Sequence, residues 1–154
     1  KRNTVTCTGS SQAHHGGSEV AATCNQSAKY SISDIEKAVK LIDSSKKPLI
    51  VWGQGVILGN AENEFKEFIE KTGIPAAWTI LGLSGLPTEH PLNVGMVGMH
   101  GNYGPNILTN ECDVLIAIGM RFDDRVTGDL KTYAKQLTAV VSYLTHLLLQ
   151  ININ

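Results

Sequence analysis

Three short runs constrain the fold of this chain more than any other feature: LIVW at 49–52, AAWTI at 76–80 and VLIAI at Val114–Ile118. A strand with no polar face must be covered on both sides, which is the habit of parallel sheets. The segments between the runs are too long for hairpins and carry helical periodicity, so the connections are crossovers. The fold class that follows is α/β, a parallel sheet with helices on both faces.

The helical signals lie where such crossovers need them. Ser33 and Glu36 have capping-box spacing, and Ile35, Ala38, Val39 and Ile42 then recur as one helical face. Asn60 is placed to cap a second helix, with Glu62 and Glu64 suiting its first turn. Ala61, Phe65, Phe68 and Ile69 line that helix until Gly73 stops it. A short helix through Ile107 to Asn110 precedes the third apolar run. GQGVILGN reads as a glycine turn, GLSGLPTEHP as turn-rich and MVGMHGNYGPN as a glycine-punctuated loop.

With 154 residues and 42% hydrophobic content the chain can bury one core, as a single domain or one piece of a larger protein. The net charge of -1, with acids and bases interspersed, argues against nucleic acid as a partner. No apolar run approaches the roughly 20 residues of a membrane span, and the N-terminus lacks the order of a signal peptide. A cytoplasmic location is the expectation. Cys7, Cys24 and Cys112 form no C-x-x-C pair, so a zinc knuckle or a disulfide framework is not indicated, and Cys112 reads as packing. His14 and His15 lie in a Ser-, Gly- and Asn-rich stretch without apolar periodicity, read as flexible and without a metal site.

In open parallel sheets, ligands bind beyond the carboxyl ends of the strands. The unusual loops GQG, TILG, VGMHG and GMRFDD all follow or lie near such ends. In the last, Arg121, Asp123, Asp124 and Arg125 place two acids and two bases within five residues. A solvated turn needs no such crowding, whereas a pocket for phosphate and carboxylate groups does. Each loop also has a plainer reading. Gly53, Gln54 and Gly55 are either turn glycines or an approach for a pyrophosphate. His100 is either hydrogen-bonded or a base, and RFDDR is either a surface ion-pair cluster or a binding site.

The wording from GQGVILGN to NYGPN, followed by TNECDVLIAIGMRFDDRVTGDL, closely resembles the central domain of the acetolactate synthase (acetohydroxyacid synthase) large catalytic subunit. MHG followed by FDDRVTG at this spacing is highly specific to that family. The resemblance implies a Rossmann-like, FAD-binding domain over residues 30–136, flanked by non-matching segments at 1–29 and 137–154. It implies an enzyme that uses thiamine diphosphate and Mg2+, bound on other domains, to condense two 2-ketoacids in branched-chain amino-acid synthesis. FAD in that family is structural. A homodimer of large subunits and a regulatory small subunit are the implied partners.

By motif, Gly53, Gln54 and Gly55 would lie near the FAD pyrophosphate, and Thr79 and Ile80 carry the family's TL position. Val97, Gly98, Met99 and His100 match its LGMH segment. Gly119, Met120, Arg121, Phe122 and Asp123 match GVRFD. Arg125 matches the arginine that recognises the carboxylate of the second ketoacid, with Asp124 beside it able to hold the guanidinium.

Where the family continues with an aspartate-rich strand that grips the FAD ribose, this chain reads LTAVVSYLTHLLLQININ, without an acid. The family's glutamate-bearing and metal-binding domains have no counterpart in it. The expectations are weakened FAD binding and no catalysis by this chain alone. The rival classes are another thiamine-dependent decarboxylase or oxidase, an NAD-dependent deacylase, whose paired C-x-x-C site is missing, and a non-catalytic ligand-binding module.

Overall fold

The structure is a computed structural model that describes residues 3–6, 32–122, 124–127, 133, 134, 136, 137 and 139–143. Its strands are β1 (Asn3–Thr6), β2 (Pro48–Trp52), β3 (Ala76–Trp78), β4 (Asn93–Met96), β5 (Val114–Ile118) and β6 (Ala139–Tyr143). They form one sheet in the order β1-β6-β5-β2-β3-β4, and every pairing is parallel. From β2 the chain steps outward through β3 to β4, then returns to the other side of β2 for β5 and β6. The order therefore reverses between β2 and β5, which opens a crevice at their carboxyl ends.

The continuously apolar runs are explained by the two faces they serve. Ile50 and Trp52 of β2, with Ile116 and Ile118 of β5, join one buried cluster. Leu49 and Val51, with Leu115, join the cluster on the opposite face. Helices α1 (Ile32–Ser44) and α3 (Glu62–Thr72) cover the first face through Ala38, Phe65 and Ile69. The rings of Trp52 and Phe65 lie 5.1 Å apart at 55°, a tilted aromatic contact. Burying side chains such as Phe65 and Ile69 contributes about 1.5–3 kcal/mol each.

Several boundaries differ from the sequence reading. The first helix begins at Ile32, so Ser33 lies in its first turn rather than outside it as a cap. Val39 points outward while Leu41 packs inward, because the covered arc is centred on Ala38. Asn60 does not cap α3: that position belongs to Ala61, and Asn60 takes a left-handed φ of 49°, a conformation asparagine tolerates. Gly73 ends α3 as expected, with φ 66°. The GQGVILGN turn contains a five-residue helix, α2 (Gln54–Leu58), and the AAWTI strand stops at Trp78, with a 3-10 helix, Ile80–Gly85, running on into the turn-rich segment.

The MVGMHGNYGPN loop is flanked by two elements, one ending at its first residue and one starting within it. Strand β4 occupies Asn93–Met96, and α4 runs over Tyr103–Glu111, longer than the helix expected at 107–110. Pro105 is compatible with α4 because it stands in the first turn, where a missing N–H costs no intrahelical bond. Toward the ends, Asn3–Thr6 pairs with β6 in a segment read as flexible from its composition. The β-branched Thr-Val-Thr run suits an edge strand. Strand β6, in the stretch after residue 136, pairs with both β1 and β5. Cys7, Cys24, His14 and His15 lie outside the described residues.

Candidate functional site

The crevice between β2 and β5 is built from backbone. The Gly53 N–H donates to the Ile118 carbonyl at 3.0 Å, and the Gly55 N–H to the Gly119 carbonyl at 2.8 Å. A Cβ on Gly55 would meet the Gly119 Cα at 2.6 Å. One on Gly119, whose φ is 57°, would meet the Val56 nitrogen at 2.7 Å. The glycines of GQG and GMRFDD thus have a shared structural cause: two strand ends cross closer than any side chain allows. Gln54, between them, is exposed as the first residue of α2.

The neighbouring ends join this crossing. The Thr79 N–H donates to the Trp52 carbonyl at 2.9 Å, and the Val97 N–H to the Trp78 carbonyl at 2.9 Å. Trp52 also donates its indole N–H to the Gly82 carbonyl at 2.7 Å, anchoring the 3-10 helix that follows Thr79. Four loops separated by up to 70 residues of sequence are therefore held in register at one edge of the sheet: Gly53–Gly55 after β2, Thr79–Ile80 after β3, Val97–His100 after β4 and Gly119–Phe122 after β5.

What they present outward is mainly side chain. Ile80, Met99 and Phe122 are 65%, 68% and 42% exposed, and His100, Arg121 and Arg125 are exposed as well. Val97 is buried in the second core cluster and Met120 packs against it, so these two support the site from within. Helix α5 (Asp124–Thr127) opens directly after the β5 loop and carries Arg125. Asp123 lies outside the described residues, as does the side chain of Asp124.

The loop after β4 is tied to α5. The Met99 N–H donates to the Arg125 carbonyl at 2.8 Å, and Gly98, at φ 106°, approaches that carbonyl so closely that a Cβ would meet it at 2.7 Å. Beneath this contact lies a cavity of about 250 Å³ lined by Gly98, Met99, Asn106, Asn110, Thr127 and Tyr133, among others. The Tyr133 hydroxyl is buried and has no hydrogen-bond partner among the described residues; burial, then the nearby Cys112, pushes its pKa up. Cys112 is itself buried and packed as expected, with its pKa pushed up to about 12 by burial and by Asp113.

Three residues of this region were missed from the sequence. Asn102, Asn106 and Asn110 follow each other at i, i+4 and i+8 along α4, and all three hold backbone of other segments. The Asn102 carbonyl oxygen accepts from the Met96 N–H at 3.0 Å. Asn106 accepts from the Gly98 N–H at 2.9 Å and donates to the Gly98 carbonyl at 3.0 Å. Asn110 accepts from the Ala134 N–H at 2.9 Å. The spacing of amides on one helical face was the available signal.

Among the described residues, no group of three or more His, Cys, Asp or Glu side chains is arranged to hold a metal ion. No helix among them is long and apolar enough to cross a membrane.

A parallel sheet whose strand order reverses at a glycine-built crevice, with cationic and apolar side chains beyond it, defines a doubly wound domain, a class in which ligands bind at the carboxyl edge. Residues 35–152 match the central domain of thiamine pyrophosphate enzymes, and the chain belongs to that family. It is 49% identical over 102 residues to the probable acetolactate synthase large subunit of Methanocaldococcus jannaschii, a stretch covering 66% of this chain and 17% of that protein. It is 50% identical over 100 residues to the acetolactate synthase large subunit of Corynebacterium glutamicum, covering 65% of this chain and 16% of that protein. With the chloroplastic acetolactate synthase of Arabidopsis thaliana it shares 43% over 108 residues, covering 70% and 16%. The matched stretch spans about a sixth of the length of these curated relatives.

Proposed function

We propose that this chain is the central, FAD-binding domain of an acetolactate synthase large subunit, within an enzyme that condenses two 2-ketoacids in branched-chain amino-acid synthesis. The observation that carries the reading is the meeting of the four family-like segments at one sheet edge, linked by backbone hydrogen bonds from Gly53, Gly55, Thr79, Val97 and Met99. The relatives' names supply the reaction class.

The residues fit FAD chemically. At the usual strand spacing the row from β4 to β5 is roughly 14 Å wide, enough for an extended dinucleotide to touch all four loops. Exposed Ile80, Met99 and Phe122 offer apolar surface, and the Arg121 guanidinium offers a planar fork for a diphosphate. FAD held there would brace the domain structurally. The carbanion-stabilising chemistry would be supplied by thiamine diphosphate with Mg2+, carried by other parts of the enzyme. Homodimerisation of large subunits and a regulatory small subunit belong to the same reading.

Arg125 is assigned to the carboxylate of the second 2-ketoacid. Its side chain is exposed at the start of α5, and its own carbonyl is fixed by Met99. The test is Arg125→Lys in a full-length enzyme carrying this domain. Lysine keeps the charge and loses the bidentate fork. CO2 release from the first ketoacid should continue, while formation of condensed product should slow by about 2–4 kcal/mol of transition-state stabilisation. Equal slowing of both, or of neither, would remove Arg125 from substrate recognition.

A further inference from the structure

The hydrogen bonds around Gly98 lead from α4 to Arg125 in three steps. Asn106 on α4 engages both polar groups of Gly98 with one planar amide, at 2.9 and 3.0 Å. The partners fix the amide's orientation, since an N–H must face the oxygen and a carbonyl the nitrogen. Gly98 is buried and sits at a φ of 106°, a conformation open to glycine that L side chains rarely adopt. The next residue, Met99, donates its N–H to the Arg125 carbonyl at 2.8 Å. Gly98 itself is in van der Waals contact range of that carbonyl, because even a Cβ would meet it at 2.7 Å.

We propose that Asn106 is a positioning residue: its amide clamps the Gly98 peptide groups and so fixes the Met99 N–H that holds the backbone of Arg125 at the substrate edge. The proposal rests on Arg125 meeting the second 2-ketoacid. Asn106 touches neither substrate nor cofactor in this account and acts only through the loop. Losing the clamp leaves the buried Gly98 N–H without its acceptor, and the loop relaxes toward a conformation that no longer presents Met99 to α5. The Gly98 carbonyl keeps its second donor, the Gly101 N–H at 2.9 Å, so the loop is loosened rather than lost.

The experiment uses the full-length enzyme with Asn106→Ala, Asn106→Asp, Arg125→Lys and the double variant Asn106→Ala/Arg125→Lys. Aspartate keeps an acceptor for the Gly98 N–H but sets an anion against the Gly98 carbonyl, which distinguishes the two halves of the clamp and serves if the alanine variant does not fold. For each, KM of the acceptor 2-ketoacid, the ratio of condensed product to CO2 released, and thermal melting are measured.

The expected result for Asn106→Ala is an acceptor KM raised about tenfold and a lower product ratio, with CO2 release from the first ketoacid unchanged. In the Arg125→Lys background the same substitution should have much less effect on the ratio, because the two residues act in series. A lower melting temperature with CO2 release and condensation falling together would mean a merely structural role and overturn the proposal. So would fully additive effects in the double variant, or an Asn106 variant without effect while Arg125→Lys shifts the ratio. If Arg125→Lys leaves the ratio unchanged, the substrate assignment of Arg125 fails first and this proposal falls with it.

Discussion

The two ends of the sheet are fastened by different means. At the amino end, one side chain makes most of the joins: the Asp113 carboxylate, just before β5, accepts from the Ser45 hydroxyl and from the backbone N–H groups of Lys46 (2.7 Å) and Lys47 (3.0 Å). It ties the exit of α1 to the start of β5. At the carboxyl end, where β2 and β5 cross, the joins are backbone to backbone, Gly53 to Ile118 and Gly55 to Gly119, made possible by missing side chains. The first arrangement uses a charged group to close a structural turn. The second closes the crossing with backbone alone, and exposed Arg121 and Arg125 stand at the edge beyond it. A strand crossing closed by backbone needs no charged side chain to hold it.

The largest effect expected from breaking this contrast is at the carboxyl end. Gly119→Ala combines a positive φ with a Cβ 2.7 Å from the Val56 nitrogen. It should cost roughly 3 kcal/mol or more in urea unfolding, with the crossing forced apart. Gly73→Ala has the same φ problem, 66°, but no heavy atom within 4 Å of its new Cβ, and should cost only about 1 kcal/mol. Similar losses at the two positions would mean that backbone conformation alone, and not the strand crossing, requires Gly119.

The amino end should respond more weakly and with pH. Burial works against ionisation of Asp113, but the hydrogen bonds from Ser45, Lys46 and Lys47 outweigh it and hold its pKa below the ordinary 3.8. The folded state therefore binds this proton less readily than the unfolded one. The stabilisation is fully present above about pH 3.8 and is lost as pH falls through the lower, folded-state pKa. Asp113→Asn should lower stability at pH 7 by about 1 kcal/mol or less, since the group is largely solvated and screened. It should also flatten the acid limb of the stability curve. An unchanged acid limb in the variant would show that the carboxylate clamp contributes nothing measurable.

The same contrast explains what could be read from the sequence. The central strands β2, β3 and β5 were legible because burial on both faces leaves a continuous apolar run, and Phe65 and Ile69 were legible from helical period. Strand β4 was not. Its four residues, NVGM, are only half-buried, and Asn93 and Gly95 are poor strand formers, so its pairing with β3 is decided by the neighbouring strand. Asn60 was read by its capping habit when its left-handed conformation was the stronger demand. The loops of the candidate site stand out in the sequence because their residue types are conspicuous. The clamps under them were hidden because Asn106 and Gly98 are joined by tertiary geometry: the spacing of the asparagines marks a shared helical face but not the backbone groups they meet.

In the proposed function, FAD lies across the four loops at the carboxyl edge of the sheet. Hydrogen–deuterium exchange of a full-length enzyme carrying this domain, compared with and without FAD, tests it most directly. The account predicts slowed exchange in the peptides containing Gly53–Gly55, Thr79–Ile80, Val97–His100 and Gly119–Phe122, with Ser45–Lys47 and Asp113 unchanged. Protection confined to the amino end, or absent from all four carboxyl-edge loops at saturating FAD, would contradict it.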